Sequence, residues 1–169
     1  MSRLESQSRE DKQSLNEWRQ VVESVAAFAT SKGGIVRIGI GPKGEKVRIQ
    51  LGRGTLEDLS NKIKQNTDPP QYPSITAEGP EGSAVVVIRV EESPIKPVWA
   101  FGRPLKRVGR TNQHLSREEA QRMVEATTGR TWDALPAESF RLNAASKEYV
   151  RDFLKRADQA QVPMLTLLK

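Results

Sequence analysis

The sequence has no cysteine and a single histidine, His114, among its 169 residues. The first absence removes disulfides, thiolate zinc sites, iron–sulfur clusters and cysteine nucleophiles. The second rules out a histidine-rich metal site and argues against a Ser-His-Asp triad. No apolar run approaches the roughly 20 residues needed to cross a bilayer. The opening residues, MSRLESQSRED, lack the apolar stretch of a secretory signal. Aromatic residues are sparse at 5%, and the hydrophobic share of 36% is low for a packed globule. The expectation is a cytoplasmic protein with no membrane partner.

Charge is what the sequence has in quantity. Lys and Arg number 27 against 21 Asp and Glu, a net +6. A surplus of this sign favours a polyanionic partner, nucleic acid before a membrane surface. It is also concentrated, since residues 96–130 hold eight basic side chains against three acidic ones, a net +5. Between residues 103 and 117 stand Arg103, Lys106, Arg107, Arg110 and Arg117, with no acid among them. Gly102, Gly109 and Asn112 are interleaved with them, so backbone N–H groups could approach a phosphate while the planar guanidinium forks grip its oxygens. Trp99 and Phe101 flank this basic loop and could stack bases or pack beneath it. His114 lies within it as an ordinary surface residue.

Hydrophobic periodicity orders the rest. Trp18, Val21, Val22, Val25, Phe28 and Ala29 recur at helical spacing as one core stripe, stopped by Gly33-Gly34. Residues 35–40 read as a strand, residues 41–44 as a turn, and Val47, Ile49 and Leu51 as a strand pairing back. Within that turn Gly39 to Gly44 match GxGxxG, but a strand follows where a dinucleotide site needs a helix. Thr55 caps a second helix carrying Leu56, Leu59 and Ile63, which Pro69, Pro70 and Pro73 end. Residues 74–78 are a short strand, and residues 84–90 an apolar one expected at the centre of the sheet. Ser116-Arg117-Glu118-Glu119 is a capping box opening a third helix. The pattern predicts an α+β fold, a single mixed β-sheet with packed helices. Residues 1–128 form the module. Residues 129–169 form a connector and a C-terminal amphipathic helix (Val150, Phe153, Leu154, Ala157) leading into a further region.

Near the N-terminus, Glu5 and Glu10 could hold a divalent cation for phosphodiester hydrolysis; acids preceding a helix more often cap it or are solvated.

Three segments in order resemble a known family, the Schlafen-type AlbA_2 domain. Glu5-Ser6 and Glu10-Asp11-Lys12 resemble its E-S-x-x-x-E-F-K. Residues 27–34, Ala-Phe-Ala-Thr-Ser-Lys-Gly-Gly, resemble A-F-A-N-T-x-G-G, and Ile38-Gly39-Ile40 stand for its I-G-V strand. Residues 106–112, Lys-Arg-Val-Gly-Arg-Thr-Asn, resemble its I-R-x-G-S-x-N segment. The resemblance runs from about residue 5 to residue 123. It implies a module that binds DNA or RNA, in many relatives the N-terminal part of a longer protein labelled a transcriptional regulator. Animal Schlafen relatives include endoribonucleases that cut transfer RNA with three carboxylates and a metal ion. Carried over, the first two carboxylates fall on Glu5 and Glu10. The third belongs just after the I-G-V strand, where Gly41-Pro42 offer no side-chain ligand. Thr30 stands in place of the family's Asn, and Asp11 in place of its Phe; Asp11 could substitute as a ligand, though nothing in the spacing demands it.

The combined expectation is a nucleic-acid-binding module without catalytic activity or cofactor. Arg103, Lys106, Arg107 and Arg110 would meet phosphates, joined by Lys12, Lys32, Arg37 and Asn112. The alternative is a metal-dependent endoribonuclease acting on structured RNA such as tRNA, with Glu5 and Glu10 holding Mg²⁺ or Mn²⁺. A third reading is an assembly module, a homodimer or a docking partner for further domains, using the apolar residues 162–168.

Overall fold

The computed structural model of the chain describes residues 6–80, 83–128, 151–152 and 155–156. The chain divides into two units, residues 1–128 and residues 129–169.

One helix organises the first unit. In α1 (Trp18–Thr30) the stripe Val21, Val22, Val25, Phe28 and Ala29 is fully buried, and every residue from Ser24 to Thr30 is buried with it. The last two turns, buried on all sides, need cover on all sides, while Arg19 and Gln20 of the first turn face solvent. A 3₁₀ turn, Leu15–Glu17, leads into it through a reciprocal cap. Ser14 Oγ accepts from the Asn16 N–H at 3.1 Å, and Glu17 Oε1 accepts from the Ser14 N–H at 3.1 Å. Gly33 ends it at φ 72°, its N–H donating to Phe28 O at 2.9 Å. A Cβ at Gly33 would also fall 2.6 Å from Val90 O, so both conformation and space require glycine.

Among the described residues the strands are β1 (Arg9–Lys12), β2 (Gly34–Ile38), β3 (Thr67–Asp68), β4 (Ser74–Glu78), β5 (Val85–Val90), β6 (Trp99–Ala100), β7 (Arg103–Val108) and β8 (Thr111–His114). They fall into two four-stranded sheets, β1-β2-β5-β4 and β3-β6-β7-β8. The α+β class is as expected, but the single sheet is corrected to two. The reason lies in α1, which contacts β2 and β5 of one sheet and β6, β7 and β8 of the other. Only β1 and β2 run parallel; all other pairs are antiparallel. β5 sits centrally between β2 and β4, buried from Val85 to Ile88, as its apolar run predicts.

Two further expectations are corrected. Residues 47–51 form no strand, because β1 and β5 already occupy both edges of β2. That segment keeps one isolated bridge, Ile40 to Lys46, and inserts Ile49 into the core from a loop. Thr55 is not the cap of α2 (Thr55–Asn66) but its first residue; the N-cap is Gly54, and Thr55 Oγ1 accepts from the Gly52 N–H at 3.0 Å. The third helix, α3 (Arg117–Thr128), opens on the expected box, with the Glu119 N–H donating to Ser116 Oγ at 3.2 Å and the Ser116 N–H to Glu119 Oε2 at 2.9 Å.

In the second unit the described residues, 151–152 and 155–156, are helical, and Arg156 pairs with Asp152 one turn earlier. The connector, the rest of the amphipathic helix and the apolar end lie outside the described residues. No helix among the described residues is long and apolar enough to cross a membrane.

Candidate nucleic-acid interface

The basic segment is a hairpin and not a loop. β7 and β8 pair from Leu105–His114 to Val108–Thr111, enclosing the turn Gly109-Arg110. Strand geometry then sends neighbouring side chains to opposite faces. Leu105 and Arg107 turn inward and are buried, while Lys106 turns toward α3 and pairs with Glu119 at 2.7 Å. This pairing, helped by the Ser116 cap, holds the Glu119 carboxyl well below its usual 4.5, at about 2.

The expectation that Arg107 meets phosphate is corrected, since its side chain has no exposure to solvent. Its guanidinium lies 2.7 Å from Glu10 Oε2 and 4.9 Å from the centre of the Phe28 ring. Nη1 donates to Asn112 Oδ1 at 2.8 Å; Nη2 donates to the carbonyls of Ser6 at 3.0 Å and Arg9 at 3.3 Å. Asn112 is committed in turn, its Nδ2 donating to Ser24 Oγ at 2.9 Å, and the Arg107 N–H donates to Ser31 Oγ at 2.9 Å. Arg107 therefore binds three pieces of the chain together: β1, α1 and its own hairpin. A charge this deep is tolerable only when paired, and Glu10, itself buried, supplies the pairing.

The same charges explain β1. Its sequence Arg-Glu-Asp-Lys has no apolar alternation, yet it forms a strand beside β2. Glu10 turns to one face, where Arg107 and Lys12 meet it, and Lys12 Nζ lies 2.9 Å from both Glu10 Oε1 and Gln20 Oε1. Asp11 turns to the other, where Arg37 clasps it with two hydrogen bonds of 2.7 and 2.8 Å. That contact with Asp11 holds the Arg37 guanidinium more firmly protonated than usual, against the opposing effect of burial.

The expected site residues are thus scattered over several faces. Lys12 and Arg37 lie on opposite sides of the first sheet, each beside a carboxylate. Lys32 is exposed just beyond α1, and Arg103 is exposed at the start of β7. Arg110, exposed at the hairpin turn, lines a cleft of about 310 Å³ with Lys12, Gln13, Gly41 and Pro42. Glu5 lies outside the described residues. Sequence reasoning missed Ser24 and Ser31; the available signal was two hydroxyls seven residues apart along an otherwise apolar stripe.

A divalent ion of the nuclease type does not fit the residues present. Glu10 is shared between two protein cations, and a metal would have to displace both. At the third position a Cβ on Gly41 would collide with the Glu45 carboxylate, which folds back over the turn to accept from the Lys43 N–H at 2.9 Å. Among the described residues no three Asp, Glu or His side chains are grouped to hold a metal ion. The Glu45 carboxylate thus takes the Lys43 N–H, and backbone carbonyls take those of Gly41 and Gly44, so these N–H groups of the GxGxxG turn are already engaged.

No curated protein matches this chain. The DIP2311 protein of Corynebacterium diphtheriae has a similar fold, with a TM-score of 0.57 and 21% identity. The match covers 72% of this chain and 24% of that one, so this chain spans about a quarter of that protein's length. The N-terminal domain of a RecG-related protein from Nitrosomonas europaea matches with a TM-score of 0.48 and 24% identity, over 64% of this chain and 81% of that one. The family description "Schlafen, AlbA_2" matches residues 5–116, about two thirds of the sequence. The chain belongs to the Schlafen AlbA_2 family.

Proposed function

We propose that this protein is a nucleic-acid-binding module that grips phosphates through exposed cations and cleaves nothing. The observation that carries this reading is the surplus of basic residues in 96–130, net +5, within a member of this family. Arg107 drops out of the contact set because it is spent inside. Arg103 and Lys32 are exposed and have no carboxylate partner among the described residues. Lys106 adds to them at little cost, because a solvent-facing ion pair is worth at most about 1 kcal/mol and Glu119 can be exchanged for a phosphate. Arg110 contributes from the hairpin turn. The catalytic alternative loses support because Glu10 is already paired with both Arg107 and Lys12.

The test is a gel-shift series with labelled duplex DNA and folded RNA, each in EDTA and separately in Mn²⁺, at low and moderate salt. The expected result is a salt-sensitive shift with intact substrate in every lane. Fragments that appear only with Mn²⁺ and vanish in Glu10→Gln would overturn the non-catalytic reading, and absence of any shift would overturn binding itself.

A further inference from the structure

Phe101 and Gly102 form the two-residue turn joining β6 to β7, with φ of 51° and 75°. Turns with positive φ at both positions favour Asn-Gly, and a bulky ring at the first position is a backbone outlier. The ring packs partly against the hydrophobic core, and two further contacts hold the residue there. The Phe101 N–H donates to Asn66 O at 3.1 Å, and its ring meets Trp18 edge-on, centroids 6.0 Å apart and planes at 65°. The backbone bond would form with any residue, and glycine would relieve the strain. The phenyl ring is therefore what the sequence keeps at a conformational cost, and such outliers concentrate where ligands are held.

Cations from two helices lie over the two half-buried rings, and a third follows the turn in sequence. The Arg19 guanidinium, from α1, lies 5.1 Å from the Phe101 centroid and 5.7 Å from that of Trp18. Lys62 Nζ, from α2, lies 5.2 Å from the Trp18 centroid. Arg103 directly follows the turn. Arg19, Lys62 and Arg103 are exposed and have no carboxylate partner among the described residues. By contrast Lys12, Arg37, Lys106 and Arg107 each have one. Unneutralised positive charge thus coincides with half-buried aromatic rings that pack against the core on one side. Trp99 is not part of this group; it lines a separate apolar cleft against α3.

We infer that Trp18 and Phe101, flanked by Arg19, Lys62 and Arg103, form a stacking platform for the unpaired bases of single-stranded nucleic acid. A strand's bases offer flat faces to the rings, and its phosphates take the cations that now lie over them. A duplex, with its bases already stacked, offers no such face. This inference rests on the nucleic-acid reading above and adds strand state and base contact to it.

The test is fluorescence-anisotropy titration of the full chain with three labelled probes: a 12-mer of deoxythymidine, an abasic strand of the same length and charge, and a 12-base-pair duplex. The thymidine strand should bind at least tenfold more tightly than the abasic strand. Phe101→Gly, which suits the turn, should remove most of that difference while leaving abasic binding unchanged. Arg19→Gln with Lys62→Gln should weaken both single strands. Equal binding of thymidine and abasic strands, or a base preference that survives Phe101→Gly in a folded protein, would overturn the platform. Salt-sensitive duplex binding would still leave the parent reading standing. Binding of none of the three probes would overturn both.

Discussion

Replacing Arg107 with alanine would leave the buried Glu10 carboxylate with Lys12 as its only remaining cation. Breaking a buried pair in this way costs about 3–5 kcal/mol, because the orphaned charge keeps its desolvation penalty. Urea unfolding of Arg107→Ala should therefore show a loss of that order, and Glu10→Gln should show a substantial loss too. Arg103→Ala, at an exposed site, should stay within about 0.5 kcal/mol of the parent. Comparable stability of the Arg107 and Arg103 variants would contradict the assignment of one to the interior and the other to the surface. Any binding defect in Arg107→Ala should be traced to folding before it is ascribed to a lost phosphate contact. Sequence alone could not separate these arginines, because the run 103–110 reads as a loop and a loop exposes all its charges. The separation arises from strand alternation, which turns Arg107 toward Phe28 and Lys106 toward Glu119.

At the scale of elements, legibility followed the source of stability. α1 and β5 are held by apolar burial, and burial leaves a periodic signature, so both were readable. β1 is held by ion pairs to Arg107, Lys12 and Arg37, which come from distant parts of the chain or from its own end, and its four residues carry no periodic signal. The two-residue strands β3 and β6 are too short to show one. The helix opening at Ser116 was legible because its cap is local, three residues from hydroxyl to carboxylate. The Glu119 carboxyl at this cap makes a pH prediction. Its folded pKa, about 2, lies below the ordinary 4.5, so its contribution is present above 4.5 and is lost as pH falls toward 2. Lys106 is the largest cause, so Lys106→Met should move the Glu119 midpoint up toward 4.5 in a carboxyl-carbon NMR titration. A midpoint near 4.5 in the unaltered protein would contradict the pairing.

For the molecule as a whole, charge has two roles that composition does not distinguish. Some cations hold the fold together: Arg107, Lys12 and Arg37 tie β1 to the helix and to both sheets. Others face solvent, among them Lys32, Arg103, Arg19 and Lys62, and these account for the proposed binding. The family-level resemblance marks segments of the chain but does not say which of their charges remain available. That depended on the hairpin's register and on Glu10 turning inward. Whether exposed cations grip phosphates is decided by the salt dependence of binding to a labelled strand, comparing the parent with Arg103→Ala. Log K should fall linearly with log salt, and the slope should shrink by about 1 in the variant, one phosphate contact having been lost. A slope near zero in the parent, or an unchanged slope in Arg103→Ala, would contradict this reading.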